Sequence, residues 1–536
     1  MRVTHSAPWK PRQEDYTRVL DEQNPWHRTG SVPIEWARQT ERPLAKSLWR
    51  RLTSNNPKRY QIILGPRRVG KTTSLYQTAR TLLNVGIEKE RIWSLRVDHP
   101  LLLQIPLDAL VDVAIKYSRA TPERPAFIFF DELVYAKDWD LWLKTFFDQN
   151  YPIVIAASSS STAAMRHRHL ESGVGRWEEQ FLAPYLFGEY LSLVDQPVGL
   201  RAEAHLDQSL SASMVSGIDL SAVANLRRKF LLQGGFPEIL ASAGTPNDDE
   251  SILLQSQKLL RVDAVERAIY KDIPQAFGVD NPMLLERLLY TLAGQLSGIL
   301  SPHNICTDLD GMAQPTFSRY LSYLERSFLV FTLENYSAKE SAKQRRGKKL
   351  YFVDGAVRNA ALQRGLAPLS DSTEMGLLIE NLAASHVHAL SLQSQVKTYY
   401  WRDGGDEVDL IYDDVDHPLA FEISVAGNHR RAGLRALISR HKKFHGKCYI
   451  VAQQTIPISP MDSPDGIGVI PLDMFLLAVS AQTEAALQAR LSSASEPYPP
   501  VSPVTLLSSK ESIRPPDLAE KSEPQLPGLD IPRSEI

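Results

Sequence analysis

Cysteine is almost missing from this chain. There are two in 536 residues, Cys306 and Cys448. They form no CxxC and join no Cys/His cluster, which sets aside a cysteine-built zinc site and a disulfide framework. Reduced, cytosolic thiols are the simple reading. An excess of one charge is missing too. Lys plus Arg number 60 and Asp plus Glu 62, so the surface as a whole is no polyanion trap and any basic patch must be local. No stretch approaches the roughly eighteen apolar residues of a membrane span, so no membrane partner is expected. The opening MRVTHSAPWKPRQEDYTRVL lacks an apolar segment and does not read as a signal peptide. A cytoplasmic protein is expected.

What is present is length and alternation. A chain this long is predicted to divide into roughly two to four domains. Residues 1–55, rich in Trp, Pro and Arg, read as a helical or irregular lead-in. Over 56–190, apolar runs of strand length alternate with helical patterns. The runs are YQIIL (60–64), RIWSLRV (91–97), AFIFF (126–130) and YPIVIAA (151–157). Continuous apolar runs suit parallel strands covered on both faces, and the alternation is α/β. Residues 191–280 turn helical, and 281–345 form a compact helical set ending in QPTFSRYLSYLERSFLV. Strands return over 346–480 in KLYFVD, KTYYWRD, EVDLIYDD, LAFEISV and CYIVAQQ. The helices there are GLLIENLAASHVHAL and GLRALISRHKKF. The Pro- and Ser-rich 481–536 is predicted to be a disordered tail. No internal repeat is found.

The sharpest motif is LGPRRVGKTTS. Gly65, Pro66, Arg67, Arg68, Val69, Gly70, Lys71 and Thr72 fit G-x-x-x-x-G-K-[ST] without departure. The glycines let main-chain N–H groups close around phosphate oxygens, and the following helix adds its positive end, beginning near Thr73. Lys71 is assigned to the β- and γ-phosphates of ATP and the Thr72 hydroxyl to Mg²⁺. AFIFFDE then ends an apolar strand in Asp131 and Glu132. Asp131 is predicted to hold Mg²⁺ through water, and Glu132 to polarise the attacking water. The next strand ends in Ser158, Ser159 and Ser160, and Ser159 is taken as the polar sensor beside the γ-phosphate. Arg176 is the candidate γ-phosphate sensor or finger.

These strings stand in a telling order. GPRRVGKTT, FIFFDEL, GRWEEQFLAPYLFGEYL, LLQGGFPEIL and ERAIYKDI are followed by TFSRYLSYLERSFLV, KKLYFVDGAVRNA, GLLIENLAA, YYWRDGGDEVDLI and FEIS. The chain resembles the bacterial and archaeal AAA-type P-loop ATPases that carry a C-terminal domain of unknown function. The resemblance covers roughly residues 35 to 480 and implies the fold class. A parallel AAA/ASCE-type sheet with a helical lid (191–280) is followed by a winged-helix module (281–345) and a restriction-endonuclease-like α/β domain (346–480). It also implies that Glu380 lies on that domain's first helix, Asp409 on a strand and Glu422 on the next.

Three such carboxylates converging on one Mg²⁺ would be a phosphodiester-cleaving arrangement. The lysine expected two residues after Glu422 is Ser424 here. Lys442 or Lys443 is the candidate replacement, and the preferred reading is an inactive nuclease fold. Basic residues cluster at Lys339, Lys343, Arg345, Arg346, Lys348 and Lys349, and on the helix bearing Arg431, Arg435 and Lys442. With Thr316, Ser318 and Arg319, these point to DNA or RNA as partner, a protein being the alternative. The sequence therefore predicts an ATP-binding and ATP-hydrolysing switch or motor. A scaffold with structural ATP and an ATP-gated nuclease remain as alternatives, and the oligomeric state is open.

Overall fold

Each of the four apolar runs between 60 and 157 is a strand in the computed structural model: β1 Tyr60–Leu64, β2 Ile92–Arg96, β3 Ala126–Asp131 and β4 Ile153–Ser159. The structure describes residues 11–492 apart from 39, 55–58, 161–174, 195, 197, 215–218, 243–248, 338–346, 425–430 and 454. A fifth strand, β5 Trp177–Phe181, was not foreseen, because WEEQF has no apolar run. It is an edge strand whose Glu178 pairs with Arg51 and Arg59. All five are parallel in the order β2-β3-β4-β1-β5.

Successive side chains of a strand face opposite sides. Ile63, Phe127, Phe129, Val154 and Ala156 enter one core, while Ile62, Leu64, Ile128, Phe130 and Ile155 enter another. Both faces are thus covered, which is why these strands read as unbroken apolar runs.

The lead-in is packed onto this sheet. Trp26 is fully buried and its Nε1 donates to Ile92 O at 2.8 Å. Helix Pro43–Thr53 lies over the helix that follows β1, Lys71–Asn84. Residues 206–277 are mostly helical among the described residues, with a break at 234–236 and π-helical turns at Arg261–Glu266 and Ala268–Asp272.

A second sheet has seven strands in the order β12-β11-β10-β9-β8-β6-β7. They are β6 Val330–Asn335, β7 Lys349–Phe352, β8 Thr398–Asp403, β9 Asp406–Tyr412, β10 Leu419–Ser424, β11 Cys448–Ala452 and β12 Ile467–Pro471. Helix Ser372–Ser394 precedes an antiparallel β8-β9-β10 meander. Helix Ala432–Arg440 then leads to β11, which is parallel to β10.

Two expected boundaries are corrected. The one at 345 cuts a β6–β7 antiparallel pair whose first strand also joins β8. The one at 481 falls inside helix Leu472–Ser492, which packs on helices Pro43–Thr53, Leu206–Met214 and Ser372–Ser394. Its Leu487 and Leu491 are buried, so 481–492 is not tail. The rest of the expected tail, 493–536, lies outside the described residues. Among the described residues no helix is long and apolar enough to cross a membrane.

Candidate nucleotide site and acidic centre

The P-loop joins β1 to helix Lys71–Asn84 and is shaped by two glycines. A Cβ on Gly65 would lie 2.2 Å from Leu182 O, and Gly70 caps the helix at φ 87°. Lys71 is 5% exposed, and its ammonium donates to Gly65 O at 2.9 Å and Pro66 O at 2.7 Å. Burial lowers its pKa, against the pull of Glu132 and Asp131. Because β4 lies between β1 and β3, the ends of β3 and β4 open beside the loop. Thr72 Oγ1 donates to Asp131 Oδ1 at 2.8 Å and lies 3.0 Å from Oδ2.

Ser158 Oγ donates to Asp131 Oδ1 at 2.6 Å, and Ser160 Oγ to Glu132 Oε2 at 3.1 Å. Burial and the neighbouring Glu132 charge raise the Asp131 carboxyl, while the Ser158 and Thr72 hydrogen bonds lower it. Of the serines that end β4, Ser158 bonds Asp131 and Ser160 bonds Glu132. Ser159 is buried at the strand end, in register with Leu64. Glu132 itself has φ 55°, a left-handed turn that ends the strand.

A cavity of about 730 Å³ opens from Gly70, Thr72, Thr73 and Asp131 toward Trp36 and Tyr76. The donor set fits a magnesium nucleotide: main-chain loop, one buried ammonium, and a hydroxyl–carboxylate pair.

Arg176 is corrected. Its main-chain O accepts from Tyr60 N, at the start of β1, whereas the P-loop follows the end of that strand. Its guanidinium is ion-paired with Asp148 at 2.7 Å. The parallel register of β1 and β5 puts it at the wrong end of the sheet for this chain's own phosphate site.

Arg67 and Arg68 have partners that the motif did not foretell. Arg67 forms a two-pronged pair with Asp272, with Nη2 to Oδ1 at 2.6 Å. Arg68 pairs with Glu238, and with Asp263 at 3.1 Å. Arg42, 4% exposed, donates to Val69 O at 2.8 Å and Ala183 O at 3.1 Å and pairs with Glu189. It ties the lead-in to the P-loop. No local pattern marks it, since its partners lie 27 and 141 residues away.

The second sheet gathers acidic residues around one lysine. Lys349 Nζ lies 2.9 Å from Glu380 Oε1, 2.9 Å from Glu407 Oε1 and 2.8 Å from Asp409 Oδ1. Glu422 faces the same centre. Burial and the Asp409 charge push its carboxyl up to about 9 and that of Glu380 to about 7. Among the described residues, no three Asp, Glu, His or Cys side chains are arranged to hold a metal ion.

Lys443 is instead paired with Asp413 at 2.6 Å, so it does not supply the missing lysine. Arg431 and Arg435 share Asp465, which partly neutralises the expected basic helix. Ser318, Arg319 and Lys348 are exposed and Thr316 is half-buried, but Lys349 belongs to no surface patch. Lys339, Lys343, Arg345 and Arg346 lie outside the described residues.

Residues 57–191 match the family model of an AAA domain. Residues 225–367 and 375–475 match two domains of unknown function, DUF8612 and DUF4143. An uncharacterized protein of Methanocaldococcus jannaschii is 24% identical over 66% of this chain and 72% of its own length. One from Haemophilus influenzae is 23% identical over 60% and 74%. Among solved structures, Aeropyrum pernix ORC1 in complex with DNA is 14% identical, covering 61% of this chain and 92% of that one at a TM-score of 0.27. The ADP form of Aeropyrum pernix ORC2 is 12% identical over 71% and 97%, also at 0.27.

The front domain is of the AAA type. In this AAA-type domain the matched span begins just before β1 and ends within helix Phe187–Leu193, so it contains the whole five-stranded sheet. Arg42 lies before it and Asp272 after it.

Proposed function

We propose that this chain is a cytosolic ATPase that works as an ATP-driven switch on nucleic acid. The observation that carries the reading is the hydrogen-bonded pair of Thr72 and Asp131 at the P-loop, with Glu132 next in sequence. Thr72 and Asp131 would hold Mg²⁺, which offsets phosphate charge when bound. Lys71 is already inside the loop and needs only to exchange two carbonyls for phosphate oxygens. Glu132 orients the attacking water, with Ser160 fixing the carboxylate. The P-loop backbone and Lys71 bind and orient, and Glu132 handles the proton.

The nucleic-acid half of the reading rests on element order. Helices Pro282–Gly294, Pro302–Asp308 and Gln314–Arg326 lead into the β6–β7 pair, and Ile299 bridges Lys349 at its edge. We read this as a winged helix that offers Ser318 and Arg319 to phosphates. The helix, meander, helix and strand after it we read as an endonuclease-like fold that does not cleave.

ATP binding by titration calorimetry tests the reading. Lys71→Ala should weaken binding at least about a hundredfold while the melting temperature stays near that of the parent, since the phosphates lose the one ammonium inside the loop. Equal affinity in a folded variant would sink the assignment. Added DNA or RNA should raise turnover. Slow turnover that neither raises would favour an interaction protein in which ATP is a structural ligand.

A further inference from the structure

The lysine that the acidic strands lack at position 424 comes from another strand. Lys349 stands on β7 and is 2% exposed. Its ammonium donates to Glu407 Oε1 and Asp409 Oδ1 and is ion-paired with Glu380 Oε1 at 2.9 Å, so three carboxylates surround it. Glu407 and Asp409 are two apart on β9 and so face one side of it. Glu380 comes from the helix above.

The oxygens are committed elsewhere too. Tyr351 Oη donates to Glu380 Oε1 at 2.8 Å, and the Ile423 N–H to Asp409 Oδ2 at 2.9 Å. Only Glu422 Oε2 is buried without a hydrogen-bond partner in this group.

We propose that Lys349 is the resident cation of this centre and that its ammonium excludes a divalent metal from the Glu380–Asp409 site. Mg²⁺ would need the same inward oxygens at about 2.0–2.1 Å. It would then stand roughly 3 Å from the ammonium, inside a buried site where like charges repel strongly. The centre thus has its positive charge but no room for a metal. Ser424→Lys therefore does not restore cleavage, because charge at that position is not what is missing. The inference rests on the second sheet alone and is independent of the nucleotide reading.

Manganese binding to the nucleotide-free full chain, counted by electron paramagnetic resonance, tests it. Asp131→Asn serves as the parent, so that the P-loop carboxylate does not contribute. Adding Asp409→Asn to the parent should leave the bound-manganese count unchanged. Adding Lys349→Met should create one new site, with affinity at least tenfold above the parent and a melting temperature that rises with manganese. That site should vanish in the Lys349→Met/Asp409→Asn combination. A folded Lys349→Met protein with no new site overturns the proposal. So does a manganese ion in the parent that Asp409→Asn removes. If Lys349→Met does not fold, the parent and Asp409→Asn counts decide alone.

Discussion

Arg67 and Arg68 fill two of the four variable positions of the P-loop, yet both are already spoken for. Asp272 takes the Arg67 fork, and Glu238 and Asp263 take Arg68. A carboxylate and a phosphate satisfy the same guanidinium fork. On the proposed ATP reading, Asp272 would compete with a phosphate for Arg67. Asp272→Asn should tighten ATP binding roughly fivefold or more, the low end of ordinary coupling between sites. Calorimetry reads it, and unchanged or weaker binding would make the pair purely structural.

Lys71, Thr72, Asp131 and Glu132 were legible in the sequence, because their spacing is set by one loop, one helix start and one strand end. Asp272 was not, although ERAIYKDI stood out as a string. Nothing local shows that a carboxylate of the 206–277 helices reaches a P-loop arginine 205 residues away. Arg176 fails only as a sensor of this chain's own phosphate site, and for the opposite reason. Its neighbourhood looks right until the parallel register of β5 puts it at the far end of β1.

At the scale of elements, helix Ser372–Ser394 joins the two halves of the chain. It starts on a cap in which Asp371 accepts from Thr373 N and Glu374 N. Asn381 bonds both main-chain groups of Phe352, and Gln393 donates to Phe181 O at 2.6 Å. His386, 1% exposed, accepts from Phe187 N at 2.9 Å through Nε2 and bonds Leu382 O through Nδ1. It is therefore the neutral Nδ1–H form. His388 stacks on Phe331 with ring centres 4.0 Å apart.

Burial holds both imidazoles down at about 4, against 6.5 when unfolded. A depressed histidine favours the fold fully above pH 6.5. That contribution is lost as pH falls toward 4, because only the unfolded chain takes up the proton. Each histidine should cost about 3 kcal/mol across that window. The buried carboxyls of Glu380 and Glu422, held up by burial, work in the opposite sense over the same window, so the histidine term is read as a difference. In denaturant titrations His388→Phe, which keeps an aromatic ring on Phe331, should lose less stability than the parent between pH 6.5 and 4. An unchanged slope would mean that His388 is not held neutral.

The element pattern was legible where a strand is covered on both faces. β5, β6 and β12 escaped for different reasons. The first is a charged edge, the second follows a helix without a break in hydropathy, and the third is a short IGVIP run beyond a Pro-rich loop.

For the whole molecule, one core runs from Trp26 to Leu491. It includes Ile63 and Phe129 of the first sheet, Leu382 of the joining helix and Phe475 of the last one. Arg227 and Asp473, 6% and 2% exposed, form a buried ion pair at 2.9 Å between helix Leu220–Gln233 and that last helix. The last helix also packs on helix Leu206–Met214, so it is joined to the 206–277 helices and not hung beside them. Lys71 at one sheet and Lys349 at the other differ in their partners: the first ammonium is held by two loop carbonyls, which phosphate oxygens would replace on the proposed reading, and the second is locked among carboxylates.

That division makes nucleotide hydrolysis the central claim, and ATP turnover by Glu132→Gln tests it most directly. The amide keeps the size of the side chain and removes only its charge. The variant should bind ATP as the parent does, yet turn over about a hundredfold more slowly or worse. Turnover equal to the parent's, with binding retained, would contradict the account.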